Sequence, residues 1–309
     1  MNLPIYLDYA ATTPVDPRIT TKIIPYFSEQ FGNPHSSDHP FGWQAEESVE
    51  IARENIAYLI NAKADNIIFT SGATESNNIA IKGLAEYIKN KHAGNATKNH
   101  IITNVTEHKC VIESCKSLKS QGCEVTFLPV NNLGKIDLEQ LEKSITDSTF
   151  LVSIMMVNNE IGNINPIEEI GKICKRHNVI FHCDAAQAFG RIPINVDELN
   201  IDLMSISGHK TYAPKGIGAL YIRRHKPKIR LNGLFSGGGQ ERNIRSGTIP
   251  VPLAVGLGEA AKISTKEMID DYKKTHQLTK LFLNEILTID GVVMHGSDDI
   301  LPANIITNY

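Results

Sequence analysis

Val49, Ala52, Ile56, Leu59 and Ile60 recur at helical spacing and predict a helix that buries one face. Seven short apolar runs follow, at 67–70, 101–103, 125–128, 150–157, 179–182, 203–206 and 219–222. Their length and weak polar alternation read as strands, several of them buried on both faces. Longer stretches between runs, such as 167–177, read as crossover helices. The region from about 43 to 223 therefore predicts an α/β fold, a parallel sheet covered by helices. From 252 to about 289 the pattern becomes one long helix, with Leu253, Leu257, Ala260, Ile263, Leu278, Leu281 and Ile286 on apolar positions. It reads as a strut between domains. Residues 292–309 are too few for a domain of their own.

The 309 residues suit one large domain or two ordinary ones. Lys plus Arg number 31 against 34 Asp plus Glu, and the charges are scattered, which does not suggest a nucleic-acid or anionic-membrane partner. No apolar run approaches the roughly 18 residues of a membrane span. The first 14 residues carry Asp8 and no basic region, which argues against a secretory signal. Five cysteines, an odd number without a C-x-x-C knuckle, point to a reducing cytoplasm and no structural zinc.

In an open α/β sheet, chemistry collects at the carboxyl ends of the strands. After 67–70 stands Ser71-Gly72-Ala73-Thr74-Glu75-Ser76-Asn77 ahead of a helical stretch, a turn whose free N–H groups and hydroxyls suit an anion; an ordinary helix cap is the alternative. After 179–182 comes Cys183-Asp184-Ala185-Ala186-Gln187. A carboxylate there needs a cation or strong donor, such as a pyridinium nitrogen, unless it caps a helix. His182 beside Cys183 and Asp184 invites a metal, but adjacent strand residues point to opposite faces. After 203–206 stands Ser207-Gly208-His209-Lys210, whose lysine can have a lowered pKa and form a Schiff base, or simply extend into solvent. Glu107-His108-Lys109 puts an imidazole near the same edge. The stretch 236–248, with three glycines, Arg242, Arg245 and Thr248, offers anion donors or is a surface loop. Anion cradle, carboxylate, lysine and imidazole on one sheet edge together suit pyridoxal 5'-phosphate.

The same residues carry a family resemblance. Leu7-Asp8-Tyr9-Ala10-Ala11-Thr12-Thr13-Pro14, Phe31-Gly32-Asn33-Pro34, Thr70-Ser71-Gly72-Ala73-Thr74-Glu75-Ser76, Thr106-Glu107-His108-Lys109, Val157-Asn158-Asn159-Glu160-Ile161-Gly162, Ser207-Gly208-His209-Lys210 and Arg245-Ser246-Gly247-Thr248 closely resemble the NifS/IscS family of cysteine desulfurases, class V of the pyridoxal-phosphate aminotransferase superfamily. The resemblance runs from Leu3 to about Tyr309. It implies a fold-type I transferase, mainly parallel sheet flanked by helices, with an incomplete small C-terminal domain. Residues 1–16 would contribute to the small domain, 17–251 would form the large cofactor-binding domain, and 252–309 the connecting helix and start of the small one. It further implies a cytoplasmic homodimer that takes sulfur from L-cysteine, leaving alanine, for an iron–sulfur scaffold protein and tRNA thiolation. Lys210 would carry the cofactor and Asp184 would pair with its ring nitrogen. His108 would stack on the ring and assist proton transfer, Gln187 would meet the phenolic oxygen, and Asn159 would lie beside cofactor and substrate. Ala73, Thr74, Ser207 and His209 would hold the phosphate, Gly208 would also stand in the cofactor site, and Thr248 would reach the phosphate from the other subunit.

The departures are as specific. In the family, a further stretch of chain carries the nucleophilic cysteine on a mobile loop and the arginine that grips the substrate carboxylate. None of the five cysteines here stands in such a loop, and Cys110 and Cys183 belong by position to the cofactor scaffold. Ala186 stands where a hydroxyl residue is usual, and Ala213 replaces a glycine after Tyr212. The expectation is a C-terminally truncated desulfurase, completed by a companion polypeptide that supplies the missing segment or limited to partial reactions. The alternatives are a non-catalytic cofactor-binding remnant or dimerisation partner, and another small amino-acid lyase or transaminase.

Overall fold

A computed structural model describes residues 5–91, 98–225 and 227–296. Seven strands form one sheet: β1 (Ile67–Thr70), β2 (His100–Asn104), β3 (Glu124–Leu128), β4 (Thr149–Ser153), β5 (Ile180–Asp184), β6 (Leu203–Ser207) and β7 (Gly218–Ile222). Each coincides with one of the seven apolar runs. Their spatial order is β1-β7-β6-β5-β4-β2-β3, parallel except that β7 lies antiparallel to both of its neighbours. The fold-type I architecture expected from sequence is present. One run differs: β4 stops at Ser153 although apolar residues continue to 157. There the Ile154 and Met156 N–H groups still donate to the carbonyls of His182 and Asp184. The chain follows β5 to the carboxyl edge, and its other side meets only an isolated antiparallel bridge, Val157 to Ile164, with the Asn165 N–H donating to the Met156 carbonyl.

Eight helices pack on the sheet: α1 (Pro17–Ile23), α2 (Pro40–Leu59), α3 (Ala73–Asn78), α4 (Leu84–Lys91), α5 (Lys109–Ser120), α6 (Leu138–Ser144), α7 (Ile167–Arg176) and α8 (Val251–Ile286). A widened turn, Ile79–Gly83, joins α3 and α4 without a break. Apolar side chains of α1, α2, α6, α7 and α8 build the core on one face, and those of the turn Ile79–Gly83, α4 and α5 build it on the other. Covered on both sides, β1, β2, β4, β6 and β7 are buried throughout; β3, at the edge, is mostly only half-buried. The first turns of α8 press against α2 so closely that a Cβ on Gly258 would lie 2.4 Å from Ala52 Cα. Further along, Ile269, Leu278, Leu281 and Phe282 are exposed. The expected first strand of a small domain, 301–309, lies outside the described residues. No helix among them is long and apolar enough to cross a membrane.

Polar strand residues inside this sheet are paired across strands. His182 lies between Ser153 Oγ (2.8 Å from Nδ1) and Ser205 Oγ (3.0 Å from Nε2), stitching β4, β5 and β6. His100 sits likewise between Thr149 and Thr126 hydroxyls. Burial without a carboxylate partner disfavours the imidazolium, pushing the His182 pKa down to about 3. Folded chain therefore binds no proton there across a range where unfolded chain, with an ordinary histidine near pH 6.5, does. The contribution to stability is complete above pH 6.5 and is lost progressively as the pH falls towards 3. Chemical denaturation between pH 7 and 4 should show parent stability falling about one proton more steeply than that of His182→Gln. Parallel slopes would show that His182 does not set this acid sensitivity.

Candidate active site

At the carboxyl edge of the sheet, the ends of β1, β5 and β6, the residues after β4 and the N-terminal residues 8–12 enclose a cleft of about 850 Å³. Its anion-facing wall is the turn after β1. Thr70 Oγ1 and Ser76 Oγ lie 2.8 Å apart, and the Ser76 hydroxyl donates to the Ala219 carbonyl at 3.0 Å, binding turn to β7. The chain then enters α3 at Ala73, whose first N–H groups have no partner within the helix. Gly72, at φ +149°, makes the corner. Gly218 faces it so closely that a Cβ there would stand 2.6 Å from Gly72 Cα.

The deep wall carries Asp184, last residue of β5. Its Oδ1 accepts from Ala186 N at 2.9 Å and its Oδ2 from Asn77 Nδ2 at 2.7 Å. Burial raises its pKa; these two donors and the Lys210 charge pull it back. A carboxylate has about four lone-pair sites, so two protein donors leave it able to take another. Gln187 donates Nε2 to the Ala10 carbonyl at 2.9 Å, while its buried Oε1 has no partner among the described residues. Behind Asp184, Glu107 is fully enclosed. Burial drives its carboxyl well above the usual range, the nearby Asp184 charge adds to that, and Oε2 is left unpartnered.

Lys210 lies just beyond β6, in a tight turn that begins at Gly208. Its Nζ donates to the carbonyls of Ala10 at 2.6 Å and Ala11 at 2.8 Å, so the N-terminal segment closes the cleft over it. Desolvation lowers its pKa, helped by the Arg191 guanidinium, which donates to Lys210's own carbonyl at 2.8 Å. His108, the N-cap of α5, is exposed over the cleft, its Nδ1 accepting from Cys110 N. Ala73, Thr74, His108, Asn159, Asp184, Gln187, Ser207, His209 and Lys210 all line this one cavity. Gly208 lies behind it, where an added Cβ would stand 2.9 Å from Ile217 and 3.3 Å from Ala213. Thr248 is exposed and does not line the cleft of its own chain. Among the described residues no cluster of metal-ligating side chains occurs, and His182 is spent on its two serines.

The arginines read from sequence as anion donors in 236–248 are both bonded within the chain. Arg245 pairs with Glu75 at 3.0 Å and Arg242 donates to the Asp65 carbonyl. Sequence reasoning missed the pair that anchors this loop. Glu241 is buried, its two oxygens bonded to the Arg53 guanidinium at 2.8 and 2.9 Å and one also accepting from Phe69 N of β1. Arg53 adjoins the apolar stripe of Val49, Ala52 and Ile56, and a charge beside a buried stripe was the available signal. Asn77 and Glu107 carried none, since each looks like an ordinary polar residue next to a turn.

The donor set fits a phosphorylated pyridine. Helix-start amides and small hydroxyls occupy one end, an incompletely satisfied buried carboxylate the floor, an amine one side, and an unpartnered amide oxygen the rim.

Comparison with known proteins agrees with this geometry. The family described as Aminotransferase class-V matches residues 5–308. The cysteine desulfurase IscS of Ehrlichia chaffeensis is 59% identical over 297 residues, spanning 96% of this chain and 71% of its own. That of Rickettsia bellii is 58% identical over 298 residues, again 96% and 71%. Among solved structures, a NifS-like protein superposes with a TM-score of 0.91 at 38% identity, covering 97% of this chain and 80% of that one. DndA from Streptomyces lividans gives 0.84 at 41%, covering 96% and 82%. SspA in complex with cysteine gives 0.77 at 43%, covering 87% and 78%.

The contact between Gly218 and Gly72 leads to a test. A methyl group at 218 must displace the corner that starts α3, since the opposing atoms are backbone. Gly218→Ala should weaken pyridoxal phosphate binding about tenfold or more in a fluorescence titration. Unchanged affinity would show that the corner yields without disturbing the cradle.

Proposed function

Because the chain belongs to the aminotransferase class-V family, and within it to the IscS/NifS-like cysteine desulfurases of the fold-type I pyridoxal-phosphate superfamily, we propose that its cleft binds pyridoxal 5'-phosphate and removes sulfur from L-cysteine, leaving alanine. The observation that carries this reading is the convergence of the Lys210 amine, the Asp184 carboxylate, the His108 ring and the start of α3 on one cavity. The relatives it matches include a protein described in complex with cysteine. When bound, the cofactor supplies an electron-withdrawing ring that stabilises negative charge developing on the substrate.

Each residue then has a task. Lys210, its pKa lowered by burial, has a larger neutral fraction for covalent attachment than a solvated lysine. Asp184 holds a proton on the ring nitrogen, favoured because an unpaired buried carboxylate is costly. His108 covers the ring and moves protons above it. Ala73, Thr74, Ser207, Gly208 and His209 receive the phosphate, joined by Thr248 of a second copy in a homodimer. Gln187 meets the phenolic oxygen and Asn159 lies at the substrate. Residues 17–251 act as the cofactor-binding unit, with an iron–sulfur scaffold protein as sulfur acceptor.

A desulfurase also needs a thiolate close to the substrate sulfur. The five cysteines here are poorly suited. Burial pushes Cys110 up to about 11 and Cys115 up to about 12, and raises Cys123, Cys174 and Cys183 as well. Cys110, though in the cleft wall, also feels the Asp184 charge. The state of these thiols favours a second reading for the 309-residue polypeptide, one that binds cofactor and assists a longer copy without turning over alone.

Two outcomes are expected. The purified polypeptide with pyridoxal phosphate should show a visible absorbance band that Lys210→Ala abolishes; persistence of the band would remove Lys210 from its role. Supplied with L-cysteine, the same polypeptide should release no sulfide above the Lys210→Ala background. Clear release would mean that one of these five thiols is the acceptor after all.

A further inference from the structure

Asp184 ends β5 and His108 follows β2, with β4 between them in the sheet, yet two side chains that the proposed chemistry leaves unused connect them. Asn77, fully buried in α3, donates Nδ2 to Asp184 Oδ2 at 2.7 Å and lies 3.0 Å from Cys110 Sγ. The orientation of this amide follows from chemistry, because an ionised carboxylate only accepts and must meet the N–H side. Both N–H bonds of Asn77 are then used, and its Oδ1 has no partner among the described residues. A buried amide oxygen left without a donor is costly, and the donor half of the same group is what the site retains.

Cys110 continues the chain of bonds. Its sulfur accepts from Asn77 and stands 3.0 Å from His108 Nδ1, and its backbone N–H points at the same nitrogen from 3.2 Å. A ring nitrogen that accepts from the backbone N–H carries no hydrogen of its own, and its lone pair can then meet the thiol as well.

We propose that Asn77 and Cys110 are positioning residues, a hydrogen-bonded bridge that fixes the Asp184 carboxylate and holds His108 as the neutral Nε2–H tautomer. Asn77 and the Ala186 N–H each occupy one carboxylate oxygen, so Asp184 meets its ligand in one rotamer with its remaining lone pairs. Nδ1 of His108 serves as the helix cap, and every proton the ring exchanges passes through Nε2. The retained thiol of Cys110 is thus a donor in the bridge rather than a nucleophile. The role of the bridge in catalysis rests on the cofactor reading above; the tautomer does not.

The test begins with the cofactor-free chain. Nitrogen-15 NMR of its imidazoles, with the His108 signals identified by their loss in His108→Gln, should show a protonated Nε2 and an unprotonated Nδ1. Cys110→Ser, which keeps a donor, should preserve that pattern, and Cys110→Ala should lower the population of the Nε2–H form. Asn77→Leu, close in size but without the donor, should weaken pyridoxal phosphate binding about tenfold and shift the pH midpoint of the bound cofactor's visible band. A predominant Nδ1–H form in the parent chain overturns the proposal even if no variant folds. Parent-like affinity and midpoint in Asn77→Leu overturn it as well. A parent chain that binds no cofactor sinks the cofactor reading, while the tautomer measurement still decides the bridge.

Discussion

A carboxylate at the end of a buried strand has to be answered by donors, because the water that would otherwise solvate it is gone. Asp184 imposes that requirement on its surroundings. Asn77 from α3 and the Ala186 N–H supply part of the answer, and the Lys210 charge supplies more. Burial and the nearby Asp184 charge push the Glu107 carboxyl, enclosed behind it, well above the usual range, which opposes a second full charge there. The result is a buried carboxylate whose partners come from α3 and from the residues after β5 and β6. The cleft is shaped by the need to satisfy it.

A second buried ion pair performs the matching task at the sheet's edge. Arg53 and Glu241 join α2, β1 and the glycine-rich loop, and Glu241 also takes the free N–H of Phe69 on the outermost strand. The loop adopts left-handed backbone at Glu241, Arg242 and Asn243 in succession, a costly conformation for residues other than glycine. Such a turn persists because its side chains are fixed at both ends, by Arg53 and by the Arg245 bond to Glu75 in α3. Strain in the loop is thereby balanced by contacts that also stiffen the cradle.

Much of this was legible in the chain. Seven apolar runs became seven strands because a strand covered on both faces must be apolar throughout, and that leaves a local trace. Lys210, Asp184 and His108 stood out because polar groups following such runs have few places to go. The order of strands was not legible. β7 turns antiparallel and enters between β1 and β6, and pairing between distant segments leaves no periodicity to read. Nor could composition reveal that Arg245 is paired with Glu75, since an arginine reaching an anion and one held by a carboxylate are written alike. Ser153 ended β4 early because hydrogen bonding, rather than apolarity, decides where a strand stops.

The place of β7 bears on how the protein is made. Thr70 of β1 pairs with Gly218, and Arg53 waits for Glu241, so the first wall of the cleft is completed by residues synthesised long after it. At ordinary translation rates that interval is roughly 10–30 s, during which β1 lacks its only sheet neighbour and the turn before α3 lacks its backing. Closing so long a loop is slow compared with forming local helices. The cradle is therefore among the last parts to assemble on the ribosome, and a nascent chain halted before residue 218 carries the cradle sequence without the strand that shapes it.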